Sequence, residues 1–408
     1  MGSKLESTAM SEHGSSSPQS RWGDNTKLVR GGLDRSPHGE TSEAMYLNSG
    51  FVYDEPETAE KRFAGEDPGY IYGRYGNPTV SMFEERLRLI EGAEACYAVA
   101  SGMSAVFGSL ACMLKAGDHV VSSRALFGSC YQVITNILPR FGIRYTLVDG
   151  ADLDGWRKAV TPGTAAIFLE TPSNPGLDVI DIAAVCDIGR AQGARVVVDN
   201  VFATPVLQRP LSYGADVVVY SGTKHMDGQG RVLGGAILGA NELMNSAYKD
   251  MHRHTGPALS PFNAWVLLKG LETLDLRVRR QTETAGRVAD TIAAHARVKQ
   301  TIYPGRPDHP QAALIANQMT GGGNVIAFDL GDRAAAWRFL DALQIVDISN
   351  NLGDAKSMAT HPCTTTHRSM PETERLEIGL TEGWVRMSVG LEGAGDLVRD
   401  VSRALDGA

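Results

Sequence analysis

The feature that most constrains this chain is the alternation of short apolar runs with helix-length segments between residues 95 and 238. The runs occupy 95–100, 119–122, 144–148, 165–169, 196–198, 216–220 and 235–238. The stretches between them are long enough to cross back over a sheet. In 182–192, for example, Ile182, Val185 and Ile188 share one helical face behind Asp181 as an N-cap. Continuous apolar runs joined in this way imply a mostly parallel sheet covered on both faces. Ligands of such sheets bind beyond the carboxyl ends of the strands, so the residues that follow each run carry the functional argument.

Three of those ends stand out. Asp216-Val217-Val218-Val219-Tyr220 leads into Ser221-Gly222-Thr223-Lys224-His225, with a glycine-rich stretch (Gly228, Gly230, Gly234, Gly235) after it. Arg195-Val196-Val197-Val198 ends in Asp199-Asn200, and the 95–100 run ends in Ser101-Gly102-Met103. Taken singly, each has an ordinary explanation: a lysine closing a strand, a turn aspartate, an N-cap serine. Together they supply an amine, a carboxylate and a set of phosphate donors at neighbouring strand ends. Hydroxyls, a glycine and a helix N-terminus suit a phosphate. A lysine used as a nucleophile needs desolvation or nearby positive charge to free its amine. That combination suits pyridoxal 5'-phosphate, with Lys224 condensed onto the aldehyde and Asp199 paired with the ring nitrogen. Tyr72-Gly73-Arg74 offers further phosphate partners. Phe127 could present a ring to the cofactor face. Arg386, inside the apolar pattern Val385-Arg386-Met387-Ser388-Val389, is costly unless paired; a substrate carboxylate and a structural acid are both open as its partner. The pairs His252/His254 and His361/His367 lack metal-site spacing and read as structural, or as supports behind the residues that touch ligand.

A chain of 408 residues exceeds what one core usually supports, which implies two domains. Apolar and charged fractions of 43% and 21% are those of a globular protein, and a net charge of -8 argues against a large nucleic-acid surface. Nothing approaches the roughly 18 uninterrupted apolar residues of a membrane span. Five cysteines without C-x-x-C spacing indicate neither a disulfide framework nor zinc and suit a reducing cytoplasm. Residues 1–26 read as a disordered serine-rich tail, 27–75 as an arm that docks on a neighbouring subunit, 76–260 as the large domain and 261–408 as a smaller α/β domain. The smaller domain carries a long helical stretch near 262–296 and strand patterns at 324–330 and 385–391.

With these residues assembled, the chain resembles the cystathionine γ-synthase family of pyridoxal-phosphate enzymes, in the aspartate-aminotransferase-like fold class (fold type I). The matching segments are Tyr72-x-Arg74-x-x-Asn77-Pro78-Thr79, Ser101-Gly102-Met103, Glu170-Thr171-Pro172-Ser173-Asn174-Pro175, Asp199 through Pro205, Ser221 through His225 and Arg386 through Gly390. The resemblance implies that Lys224 is the cofactor-linked lysine and general base, and that Asp199 pairs with the pyridine nitrogen. It implies that Gly102, Met103, Ser221 and Thr223 bind phosphate and that Asn174 belongs to the cofactor site. Tyr72 and Arg74 would reach the phosphate of an adjacent subunit, in a homotetramer built from dimers with shared active sites. Arg386, with Asn351 nearby, would hold the amino-acid substrate.

Two departures are informative. Phe127 stands where many members carry a tyrosine, and Asn351-Leu352-Gly353 where many carry Ser-Leu-Gly. Both, with the stretch Thr360 to His367, resemble the O-succinylhomoserine sulfhydrylase branch. The resemblance therefore implies replacement of the succinyl ester of O-succinyl-L-homoserine by sulfide in methionine biosynthesis. Cystathionine γ-synthase, O-acetylhomoserine sulfhydrylase and γ-lyase activities are the near alternatives, and a catalytically silent pyridoxal-phosphate binder is the distant one. A nicotinamide oxidoreductase is disfavoured because no G-x-G-x-x-G follows the first strand.

Overall fold

The computed structural model describes residues 18–408. All seven apolar runs are strands: β1 (Ala95–Val99), β2 (His119–Ser123), β3 (Arg144–Val148), β4 (Thr164–Glu170), β5 (Arg195–Asp199), β6 (Val217–Ser221) and β7 (Gly235–Gly239). They form one sheet in the order β1-β7-β6-β5-β4-β2-β3. Strand β7 is antiparallel to both its neighbours and the remaining pairs are parallel. Consequently β1 to β6 all run the same way and end on one edge.

The valine-rich runs become strands because both faces are buried and β-branched side chains pack well on a pleated surface. Successive residues serve opposite faces. Val197 joins Val120, Phe168 and Val219 in one apolar layer. Val196 and Val198 join Val121, Ile167 and Leu169 in the other. The helix Gly102–Ala111 starts directly after β1, with the Ser101 hydroxyl accepting from the Ser104 amide at 3.1 Å. Asp181 caps Ile182–Gln192 in the same way.

A second sheet contains β8 (Gln300–Ile302), β9 (Val325–Asp329), β10 (Asp347–Ile348), β11 (Met358–Thr360) and β12 (Trp384–Ser388), in the order β10-β11-β12-β9-β8. Its core joins Ile326, Phe328, Val385 and Met387 to the helices Leu274–Ala293, Arg333–Ala342 and Ala394–Gly407.

Three boundaries differ from the sequence reading. The tail anticipated as far as residue 26 falls outside the described residues through 17, but Pro18–Arg21 and Asp24–Arg30 are helical. The arm contains a helix, Pro56–Ala64, and part of it is fastened to its own chain. There Glu43 meets the buried Arg86 at 2.6 Å, and Asn77 donates to the Tyr46 carbonyl at 2.8 Å. Finally, Pro261–Leu271, anticipated in the smaller domain, packs Leu267 and Leu268 against Phe83 and Leu87 of the first core. The two cores meet along Leu274–Ala293, whose Leu274 and Val278 belong to the first and whose Val288 and Ile292 belong to the second. The polar stretch 279–284, between Val278 and Ala285, is where that helix changes partner.

Candidate active site

A cavity of about 220 Å³ opens at the carboxyl edge of the first sheet, where the second sheet closes over it. Lys224, three residues beyond Ser221 at the end of β6, lines it. Its Nζ donates to Asn351 Oδ1 at 2.6 Å. Burial, with the positive charge of Arg386 nearby, brings its amine down to about 8. A lysine so desolvated has an appreciable neutral fraction near neutrality, which both nucleophilic attack and proton abstraction require. The segment after it is fixed by Gly228 N donating to the Lys224 carbonyl at 2.8 Å, with Gly228 at φ 65°. Arg277 also donates to the His225 carbonyl at 2.7 Å.

Asp199 ends β5 directly opposite Glu170 in the β4 register. One Asp199 oxygen accepts from Val201 N at 3.1 Å, and Glu170 Oε2 accepts from Phe127 N at 2.8 Å. Burial raises the proton affinity of both acids, and the Asp199 charge adds to the effect on Glu170. Two carboxyls in one dry pocket cannot both stay ionised without a cation. Arg386 acts in this way on Glu170, and a protonated pyridine ring would be such a cation for Asp199.

Arg386 comes from β12, on the other sheet. It is buried, donating to Asn174 Oδ1 at 2.9 Å and to the Asn350 carbonyl at 2.8 Å. Among the described residues it forms no ion pair within bridging distance, so neutral oxygens, rather than a structural acid, hold it in place. The nearby Glu170 carboxyl acts on its charge without bonding to it, which leaves the guanidinium open to an anion in the cavity.

The phosphate donors line the same cavity. A Cβ on Gly102 would lie 2.6 Å from Ser221 Cβ, and one on Gly235 would lie 2.3 Å from the Ser101 carbonyl oxygen. These approaches demand glycine, and they bring the amide-rich N-terminus of Gly102–Ala111 against the Ser221 hydroxyl. The Thr223 hydroxyl is engaged with Gly234, accepting from its amide at 3.2 Å. Met103 and Phe127 add apolar walls. An amine, a glycine-shaped anion cradle, a buried acid awaiting a cation and a flanking ring together fit pyridoxal phosphate.

Two anticipated residues lie elsewhere in this chain. Arg74 lines a separate cavity of about 620 Å³, with its guanidinium over the rings of Tyr72 and Tyr75 at 5.3 and 4.7 Å. Tyr72 is 43% exposed. Asn351 reaches Lys224 without forming cavity wall. Residues missed in the sequence reading include Cys130, Leu233 and Asn350. Cys130 sits one turn after Phe127 on Gly128–Gln132, a spacing that could have flagged it. Asn350 acts through its carbonyl, which no side-chain pattern announces.

The chain is similar to known proteins along most of its length. An O-succinylhomoserine sulfhydrylase of Mycobacterium tuberculosis is 56% identical over 382 residues, covering 92% of this chain and 94% of that protein. One from Pseudomonas aeruginosa is 44% identical over 381 residues, covering 93% and 94%. A solved structure of a putative O-acetylhomoserine (thiol)-lyase from Campylobacter jejuni, containing N'-pyridoxyl-lysine-5'-monophosphate, superposes with a TM-score of 0.91 at 30% identity, covering 94% of this chain and all of that one. A family model, Cys/Met metabolism PLP-dependent enzyme, matches residues 25–406, and the chain belongs to that family.

Proposed function

We propose that this pyridoxal-phosphate enzyme replaces the γ-succinyloxy group of O-succinyl-L-homoserine with sulfide, giving L-homocysteine and succinate for methionine biosynthesis. The observation that carries this reading is the pair of relatives bearing that activity in their names, 56% and 44% identical over 92% and 93% of the chain.

The residues divide the work as follows. Arg386 takes the substrate α-carboxylate, which its neutral partners leave it free to do. Asp199 holds the ring nitrogen protonated, and the bound cofactor supplies an electron sink for charge at the substrate α-carbon. Lys224 would take the α-proton, hand it on to the bound cofactor and, its amine free again, take a β-proton, whose loss lets succinate depart from the γ-carbon. Sulfide adds at that carbon, and Lys224 returns the protons. Phe127 has no phenol to share this traffic, so Lys224 is the base for both positions. Asn351 holds the Lys224 amine between transfers. Gly102, Met103, Ser221 and Thr223 form the phosphate cradle, and Asn174 keeps Arg386 in place beside the cofactor.

Among the described residues of one chain, no guanidinium adjoins that cradle. The arm therefore serves a second copy, with Tyr72 and Arg74 reaching the phosphate of the adjacent subunit in a dimer of shared sites, paired into a tetramer. Among the described residues no helix is long and apolar enough to cross a membrane, and five unpaired cysteines favour a cytoplasmic home.

Steady-state rates with succinyl and acetyl esters, each against sulfide and cysteine, test the reading. The succinyl ester with sulfide should give the highest kcat/KM. A preference for cysteine would make the enzyme a cystathionine γ-synthase, and a preference for the acetyl ester an O-acetylhomoserine sulfhydrylase. Release of 2-oxobutanoate without added nucleophile would make it a γ-lyase.

A further inference from the structure

His367 is fully buried and lies outside the cavity, yet it touches two of the segments that build it. Its Nε2 lies 3.1 Å from the Leu126 carbonyl and 3.2 Å from the Asn174 carbonyl. Carbonyl oxygens only accept, so Nε2 carries the proton and donates to both. Nδ1 lies 2.8 Å from the Thr366 hydroxyl and accepts from it. The ring is thus fixed in one tautomer and one orientation.

Each carbonyl belongs to the residue beside, or at, a working side chain. Leu126 precedes Phe127, whose ring lines the cavity and whose amide is held by Glu170. Asn174 offers its side-chain oxygen to Arg386. The adjoining backbone is seated as tightly: a Cβ on Gly128 would lie 2.2 Å from the Thr366 carbonyl oxygen. His367 therefore reaches from a loop of the second sheet's half of the chain to two loops at the edge of the first sheet.

We propose that His367 is a positioning residue for the reaction, setting the distance between the ring wall at Phe127 and the carboxylate grip at Arg386 by holding both backbones with one N–H. The inference rests on the roles given above to Phe127 and Arg386. Misplacing either by an ångström is the kind of error that costs about a hundredfold in rate.

His367→Gln puts an amide N–H where Nε2 stands. His367→Asn puts it where Nδ1 stands, and His367→Leu removes it. In the holoenzyme, the Leu and Asn variants should raise KM for the homoserine ester by about tenfold or more and alter the visible circular dichroism of the cofactor, while Gln restores both to within about threefold of wild type. A purely structural histidine would lower thermal stability in all three without separating Gln from Asn. Equal KM and equal dichroism across Gln and Asn would overturn the proposal, even if the Leu variant failed to fold. The dichroism is read on resting enzyme, so it reports on His367 whichever ester proves to be the substrate.

Discussion

Lys224 and Asn351 meet across the two sheets, the lysine Nζ donating to the amide oxygen at 2.6 Å. A neutral amide can hold the amine without stabilising its charged form as a carboxylate would, so burial and Arg386 are left to bring Lys224 down to about 8. Lowering the pKa of a cationic acid frees the amine at lower pH. The rate at which apoenzyme captures pyridoxal phosphate should therefore rise with pH around a midpoint near 8, well below an ordinary lysine. Asn351→Asp should move that midpoint upward by about one unit, because an opposite charge favours the ammonium. Stopped-flow absorbance of the forming chromophore across pH checks both.

Asp199 is buried beside Glu170 and takes a hydrogen bond from Val201 N. Asp199→Asn keeps the shape but cannot hold a ring proton. It should lower kcat by about a hundredfold or more, with cofactor retained less tightly. Turnover of the homoserine ester, with cofactor content measured on the same sample, separates the two effects.

Gly102 leaves no room for a methyl group, with Ser221 Cβ 2.6 Å from where it would sit. Gly102→Ala should push the helix start away from the phosphate and weaken cofactor binding by about tenfold, or 1.4 kcal/mol. Equilibrium titration of apoenzyme with pyridoxal phosphate measures this without reference to any substrate.

Arg74 lies away from the cavity of its own chain. If it completes the site of a neighbour, Lys224→Ala and Arg74→Ala proteins, each nearly inactive, should regain activity when unfolded and refolded together. Random pairing restores one intact site in half of the dimers, about a quarter of wild-type activity. No recovery would show that each chain builds its site alone.

Much of this was legible in the chain. Lys224, Asp199 and Gly102 sit where an apolar run stops, and such ends face ligand in a parallel sheet. Most of the seven strands were visible because burial on both faces leaves an unbroken apolar run, whereas the edge strand β3 exposes Arg144 and Tyr145. The second sheet was harder to see: β8, β10 and β11 span two or three residues, too few for a period to show. Asn350, Leu233 and His367 reach the site region by long-range packing, and His367 acts on backbone carbonyls that carry no side-chain signature. The helix Pro56–Ala64 has no buried residue, so its sequence lacks an apolar stripe to announce it.

The most direct test of the central claim is the product balance of the holoenzyme given O-succinyl-L-homoserine and sulfide. The account predicts one succinate and one L-homocysteine per ester consumed, with Lys224→Ala forming neither. Succinate released with 2-oxobutanoate and ammonia in place of homocysteine, or unimpaired turnover by Lys224→Ala, would contradict it.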